Sequence, residues 1–321
     1  MGLWKLRLSM VGTLAAIIGL STLFFTVILS LVGALDFVTL GIFVVLFNII
    51  QWLVAPYLID ALYRIKEVPR NENPELYERI ERISEKSGIK TPRIMLANIP
   101  IPNAFAYGSP IAGTRVAVTD GLTKALNQDQ VDAVLGHELG HLRHKDVQVM
   151  MFVSILPAIF YYIGYSMLLS SMFGGRDNRN SSGATVIGFA SMILYWILTM
   201  FTLYLSRLRE YYADRNGAMV VENGASKLSE ALARIQYSTG RMKKAHPQVG
   251  NFQSLRALFI ADPSQAEADA AAISQIGGFR TDQALVEELL KKEVTTADRV
   301  FEIFSTHPNM IKRLRALKEL E

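Results

Sequence analysis

The sequence predicts a mainly α fold: a four-span α-helical membrane protein carrying an α+β domain on the cytoplasmic side of the bilayer. Three observations lead there. Half of the 321 residues are hydrophobic and only 19% are charged, with a mean hydropathy of +0.24. The apolar residues are gathered into long uncharged blocks, the mark of membrane spans more than of a rich core. Basic residues gather at the ends of those blocks, and all but Arg176 and Arg179 lie on one side of an alternating path.

Leu8–Leu35 carries no charge, and Phe37–Ile59 is a second such stretch, ended by Asp60. Each exceeds the roughly 20 residues that a helix rising 1.5 Å per residue needs to cross a bilayer. Lys5 and Arg7 give the first stretch the opening of a signal peptide. Its apolar core is too long for one and a second span follows at once, so both are expected as retained anchors turning at Gly33, Ala34 and Asp36. Val147–Gly175 and Asn180–Ser206 form a second pair around the polar loop Arg176–Arg179. A pair of buried core helices is the plainer alternative, but such helices rarely run so long without a charge. The predicted layout is a two-span anchor over 1–66, a polar part over 67–146, a membrane hairpin over 147–206 and a second polar part over 207–321. Lys5, Arg7, Arg64, Lys66, Arg70, Arg143, Lys145, Arg207, Arg209 and Arg215 then share one face, which the positive-inside rule assigns to the cytoplasm.

In the first polar part, Pro74–Gly88 reads as an amphipathic helix with Leu76, Ile80, Ile83 and Ile89 as its apolar stripe and Gly88 as its stop. Arg93–Ala97 and Arg115–Thr119 read as strands, with Asn103–Gly108 extended or turning between them. Asn127 and Gln130 make a capping pair that opens a helix from about Gln128 to Asp146. Beyond Leu205 a helix is expected through Ala218 and another over Ser226–Ile235. Residues 239–300 carry helical patterns at Gln265–Ile276 and Ala284–Lys292, broken by Gly277-Gly278. His246 reads as a surface-loop residue. Pro56 and Pro157 fall near or inside spans, where proline kinks helices.

Composition excludes several functions. The net charge of +4 comes from 33 Lys/Arg against 29 Asp/Glu, but no basic face interleaved with aromatics appears, so no nucleic-acid partner is expected. There is no cysteine. A disulfide framework is therefore impossible, and a metal site must be built from carboxylates and the five histidines.

His137-Glu-Leu-Gly-His141 is the chemical centre of the chain. On a helix, positions i and i+4 stack on one face, so both imidazoles reach one ion about 2 Å from each nitrogen. Glu138 is placed to take a proton from water at that ion, the arrangement of a zinc metalloprotease. Two surface histidines on an amphipathic helix are the plainer reading. A catalytic zinc needs a third protein ligand. His144 is excluded, since seven residues of helix put it about 10 Å along the axis from His137. Glu210 and Asp214 lie on one face of a later helix. Glu210 suits the third ligand, and Asp214 suits acceptance of the N–H of a metal-bound imidazole. From spacing alone they equally suit a solvated face paired to Arg207 and Arg215. Continued straight, spans three and four would run into these two helices and hold the metal within about 10 Å of the bilayer surface.

His137–His141 followed by Asp146, Ser206–Asp214 (Ser-Arg-Leu-Arg-Glu-Tyr-Tyr-Ala-Asp), Pro102-Asn-Ala-Phe-Ala106 and Ser305-Thr-His-Pro308 together resemble the HtpX-type membrane zinc metalloproteases, related to the CAAX prenyl protease group. The resemblance spans about residues 1–238 and 300–321. It implies a zincin-like α+β protease domain facing the cytoplasm from the cell membrane, one Zn²⁺ on His137, His141 and Glu210, and Glu138 as base. It further implies substrate backbone held at Asn103 and Ala104, an oxyanion stabilised by His307, and protein substrates drawn from misfolded membrane or cytoplasmic proteins. Segment 239–300 is longer than the resemblance leads one to expect. For Asn103 a turn role, and for His307 a place at a helix entry, are the plainer readings. An intramembrane protease is disfavoured by the charges around the motif. A catalytically inactive zinc-binding scaffold or chaperone is disfavoured by the intact Glu138 and ligand set.

Overall fold

The computed structural model describes residues 37–173, 181–245, 260 and 281–321. The first expected span with its turn at Gly33–Asp36, the loop Arg176–Arg179, His246 and the pattern Gln265–Gly278 lie outside the described residues. The chain divides into two compact units, one formed by residues up to Trp52 with Val149–Tyr204, the other by Leu53–Gln148 with Leu205–Glu321.

Among the described residues three helices supply apolar blocks: α1 (Phe37–Tyr63), which contains Pro56, and, further along the chain, two helices over Asp146–Phe173 and Ser181–Val220. Within them Gly41–Tyr63, Asp146–Met172 and Gly183–Val220 are long and apolar enough to cross a membrane. Leu46, Phe152, Phe189, Ile193 and Phe201 are exposed, a surface that water would penalise and lipid does not. In the first unit, Tyr161 and Tyr195 meet edge-on at 5.2 Å. A Cβ on Gly164 would come within 3.0 Å of the Gly188 carbonyl, so the missing side chain lets two helix backbones approach closely.

The second unit is built on a sheet of order β1 (Lys66–Glu67), β2 (Arg93–Ala97), β4 (Gly113–Thr119), β3 (Ala104–Ser109). β2 runs parallel to β4, and β3 antiparallel to it with Ala104 opposite Val118 and Ala106 opposite Val116. Alternation sends Ile94, Ala104, Val116 and Val118 into the main core and Met95, Ala97, Phe105, Tyr107 and Ala117 into a smaller one capped by Ile59, Tyr63 and Ile65. That second face is pinned by Asp60, which accepts the Tyr107 hydroxyl at 2.5 Å and pairs with buried Arg115. Burial, reinforced by the Asp60 carboxylate, pushes the Tyr107 hydroxyl far above the usual phenol range.

Helices α2 (Pro74–Ser87), α3 (Asp120–Ala125) and α4 (Gln128–Arg143) follow their local signals. Asn73 caps α2, Pro74 opens it, and Gly88 ends it at φ 69°, a left-handed angle glycine tolerates. Asn127 and Gln130 close a capping box on α4. That helix stops earlier than expected. His144 and Lys145 donate back to Gly140 and Leu142, and Lys145 takes φ 54°. The chain therefore turns before α5 (Asp146–Phe173) begins. The motif helix does not run straight into span three. α6 (Ser181–Val220), by contrast, is a single helix through Glu210 and Asp214. α7 (Gly224–Ala245), α8 (Asp282–Lys291), α9 (Thr296–Ile303) and α10 (Met310–Lys318) complete the unit. β1 and α9 were not expected, although the Thr295/Asp298 capping box of α9 is visible in the sequence.

Candidate metal centre

Glycine brings the two motif helices together. A Cβ on Gly140 would lie 2.9 Å from Ala213 Cα, and one on Gly136 would lie 2.9 Å from Val220 Cγ2. Across this close crossing Asn216 Nδ2 donates to the Gly136 carbonyl at 2.7 Å and to Ser87 Oγ at 3.1 Å, stitching α6 to α4 and α2. The approach is what lets a carboxylate as short as Glu210 reach imidazoles on the neighbouring helix.

His137, His141 and Glu210 offer ligand atoms within 4.8 Å of one another. Nε2 of His137 and Nε2 of His141 are 3.2 Å apart. Glu210 places Oε1 3.5 Å from the second and Oε2 3.8 Å from the first. Ligands held 2.0–2.1 Å from a tetrahedral zinc lie about 3.3 Å from each other. The far nitrogens face carboxylates: His141 Nδ1 is 2.7 Å from Asp146 Oδ2. His137 Nδ1 is 2.9 Å from Asp214 Oδ1, a contact too bent for a full hydrogen bond. A carboxylate beside Nδ1 favours the tautomer with the proton on that nitrogen, the one that frees Nε2 to act as a metal ligand. Glu210 Oε2 is buried and accepts no hydrogen bond among the described residues. Three electron-pair donors facing one small volume fit a cation. Burial also holds His137 below its usual pKa, in the neutral form that binds metals.

Glu138 is buried beside this group, and its Oε2 accepts the Ala106 N–H at 2.9 Å. Burial is the main cause that pushes its carboxyl up to about 7, with Glu210 adding to the rise. His307 reaches the same place, its Nε2 3.7 Å from Glu210 Oε1 and its Nδ1 3.0 Å from Thr306 Oγ1. Its loop is tethered by Arg207, whose Nη1 donates to the carbonyls of Glu302, Ile303 and Ser305. Arg207 thus serves the loop, and Glu210 and Asp214 are buried and do not form a solvated face. Asn309 rather than His307 caps α10. His144, the rejected ligand, caps α4 and lies against Tyr212.

Asn103 and Ala104 are both buried. Asn103 is tied to Thr119 on β4, and its Oδ1 accepts the Ile260 N–H at 3.1 Å. Ala104 opens β3, the edge strand along the site. A cleft of about 250 Å³ opens beside His141, lined among others by Gly108, Gly113, Thr114, Leu142 and Val147.

Two further residues build the site. Arg313 is fully buried and holds both oxygens of Asp214, at 2.9 and 2.6 Å, with Nη1 3.4 Å from Glu210 Oε2. Asp146 faces His141 and pairs with Arg209. Asp146 stands out in the sequence only as the residue trailing the motif. Arg313 carries no local signal, because its α10 spacing matches that of any basic amphipathic helix.

The model of peptidase family M48 matches residues 70–321, a stretch holding every residue just described. The chain belongs to peptidase family M48. Its curated relatives are similar along nearly their whole length. A protease HtpX homolog of Thermoplasma acidophilum is 36% identical, covering 90% of this chain and 86% of its own. One from Picrophilus torridus is 35% identical over 99% and 98% of the two chains. The fold is similar to the crystal structure of S. mikatae Ste24p, with a TM-score of 0.53 at 17% identity, covering 98% of this chain and 66% of that one. As an M48 member with membrane-compatible helices the chain is a membrane metalloprotease. In this M48 domain His137, His141 and Glu210 form a group that could hold a metal ion, their ligand atoms all within 4.8 Å of one another.

Proposed function

We propose that this chain is a zinc-dependent endopeptidase that hydrolyses peptide bonds in misfolded membrane or cytoplasmic proteins. His137, His141 and Glu210 hold one Zn²⁺, with Asp214 and Asp146 orienting the imidazoles. The observation that carries this is the largely buried group in which His137, His141 and Glu210 bring ligand atoms within 4.8 Å of one another, with Glu210 Oε2 accepting no hydrogen bond among the described residues. When bound, zinc supplies a Lewis-acidic position that lowers the pKa of water and polarises the substrate carbonyl.

Glu138 is the base. With Oε2 held by the Ala106 N–H, its other oxygen takes a proton from the attacking water and later passes it to the leaving amide nitrogen. A carboxyl raised to about 7 exchanges protons readily near neutral pH. His307 stabilises the oxygen that gains charge at the substrate carbonyl, from a loop that Arg207 holds in place. The outer edge of β3 from Asn103 and Ala104 receives an extended substrate backbone. The cleft beside His141 offers room for a substrate side chain.

The membrane arrangement belongs to the same reading. Leu8–Leu35 is the first of four spans, 1–66 and 147–206 are the membrane parts, and 67–146 with 207–321 form the protease domain on the cytoplasmic side. Unfolded segments next to a bilayer are the matching substrates. The test is hydrolysis of casein by detergent-purified protein. Activity should vanish with a chelator and return with zinc. Undiminished cleavage after demonstrated metal removal would defeat the zinc reading, and bound zinc without cleavage of any unfolded protein would favour the inactive scaffold.

A further inference from the structure

Ile260 is held at both of its backbone polar groups by buried side chains. Its N–H is taken by Asn103 Oδ1 at 3.1 Å, and its carbonyl by Arg313 Nη1 at 2.6 Å. Both partners are buried polar side chains, and Ile260 itself is only 3% exposed, its side chain part of the main apolar cluster. The clamp is next to the chemistry. The same Arg313 nitrogen lies 3.4 Å from Glu210 Oε2, and Asn103 directly precedes the edge strand whose Ala106 N–H orients Glu138. An acceptor for one peptide N–H, a cationic donor for the same residue's carbonyl and an apolar seat for its side chain are the groups needed to recognise one residue of a peptide. Charged donors to a carbonyl in a buried setting are among the stronger hydrogen bonds. Arg313 is also preorganised, since two Asp214 oxygens fix its other nitrogens.

We infer that Ile260 is an intramolecular occupant of this seat: the chain's own peptide unit competes with substrate for Asn103 and Arg313, and the seat selects an aliphatic side chain. This rests on the protease reading above. A competitor that fills the seat 90% of the time raises the apparent substrate constant about tenfold, because only the open fraction binds. Removing the isoleucine side chain should weaken the occupant and leave the seat intact.

The test uses the full-length, zinc-loaded protein in detergent and a quenched fluorescent peptide carrying one leucine. Ile260→Gly should lower KM several-fold with kcat retained. A synthetic peptide with the sequence of residues 256–264 should inhibit the wild type competitively, and the same peptide with Ile260→Asp should not. If Ile260 is only a core residue, Ile260→Gly will lower Tm with KM unchanged or raised, and the peptide will not compete; that pair of results overturns the inference. Binding of the labelled 256–264 peptide to Glu138→Gln protein, read by fluorescence anisotropy, keeps the question separate from catalysis. Binding that is lost in Asn103→Ala supports the seat even if no hydrolysis is ever found, whereas no binding to a folded Glu138→Gln protein sinks it even if hydrolysis is robust.

Discussion

Glu138 and His307 surround the same small volume, and the roles proposed for them concern different species, so single substitutions separate them. Glu138→Gln keeps the shape and can still accept the Ala106 N–H, yet an amide cannot take water's proton. Zinc content by elemental analysis should stay at wild-type level while casein hydrolysis falls by at least about 10²-fold. Undiminished hydrolysis would remove Glu138 from its role. His307→Ala should likewise keep zinc, because His307 approaches Glu210 only to 3.7 Å. Its cost belongs in kcat, about 10²–10³-fold for one lost oxyanion donor. A raised KM with normal kcat would make His307 a binding residue instead. Of these residues, the motif makes Glu138 legible in the sequence, whereas His307 is legible only through the resemblance of Ser305-Thr-His-Pro308. Its real partner, Glu210, is remote along the chain.

Among the elements, the decisive contact is the crossing of α4 and α6, and it depends on absent side chains. Gly140 meets Ala213 and Asn216, and Gly136 meets Gly217 and Val220. Gly140→Val would drive two methyl groups into the Ala213 backbone. Overpacking of this kind costs about 1–3 kcal/mol, and here the helices can relieve it only by separating, which pulls Glu210 away from both histidines. The expected outcome is a lowered Tm together with a sharp loss of bound zinc at fixed free zinc. Retention of stoichiometric zinc in Gly140→Val would show that the crossing does not set the ligand geometry. The helices themselves could be read from capping pairs and apolar stripes, which are local signals. The glycines in the motif read as mere spacers until a second helix is placed against them.

For the whole molecule, the question is what the membrane does for the site. Straight continuation of both spans into both ligand helices would make the bilayer hairpin a clamp, but the turn at His144–Lys145 breaks one of the two continuations. α4 and the Glu210 end of α6 meet inside the unit made of Leu53–Gln148 and Leu205–Glu321. A chain in which a flexible linker replaces Val149–Tyr204 should therefore still bind zinc, with casein cleavage kept; loss of zinc from a soluble, folded protein of this kind would restore the clamp. Periodicity, capping and a four-residue ligand spacing are properties of neighbouring residues, so the sequence alone specified the apolar blocks, the capped motif helix and the two histidines on one face. Which acid completes the group, which basic residue serves it and what fills the seat beside it depend on contacts between residues far apart in the chain. Arg313 and Asp214 are 99 positions apart, and Ile260 and Asn103 are 157 apart. No local pattern encodes such pairs. They form only when burial makes an unpartnered charge or peptide group too costly to leave alone, and that cost exists only in the folded chain.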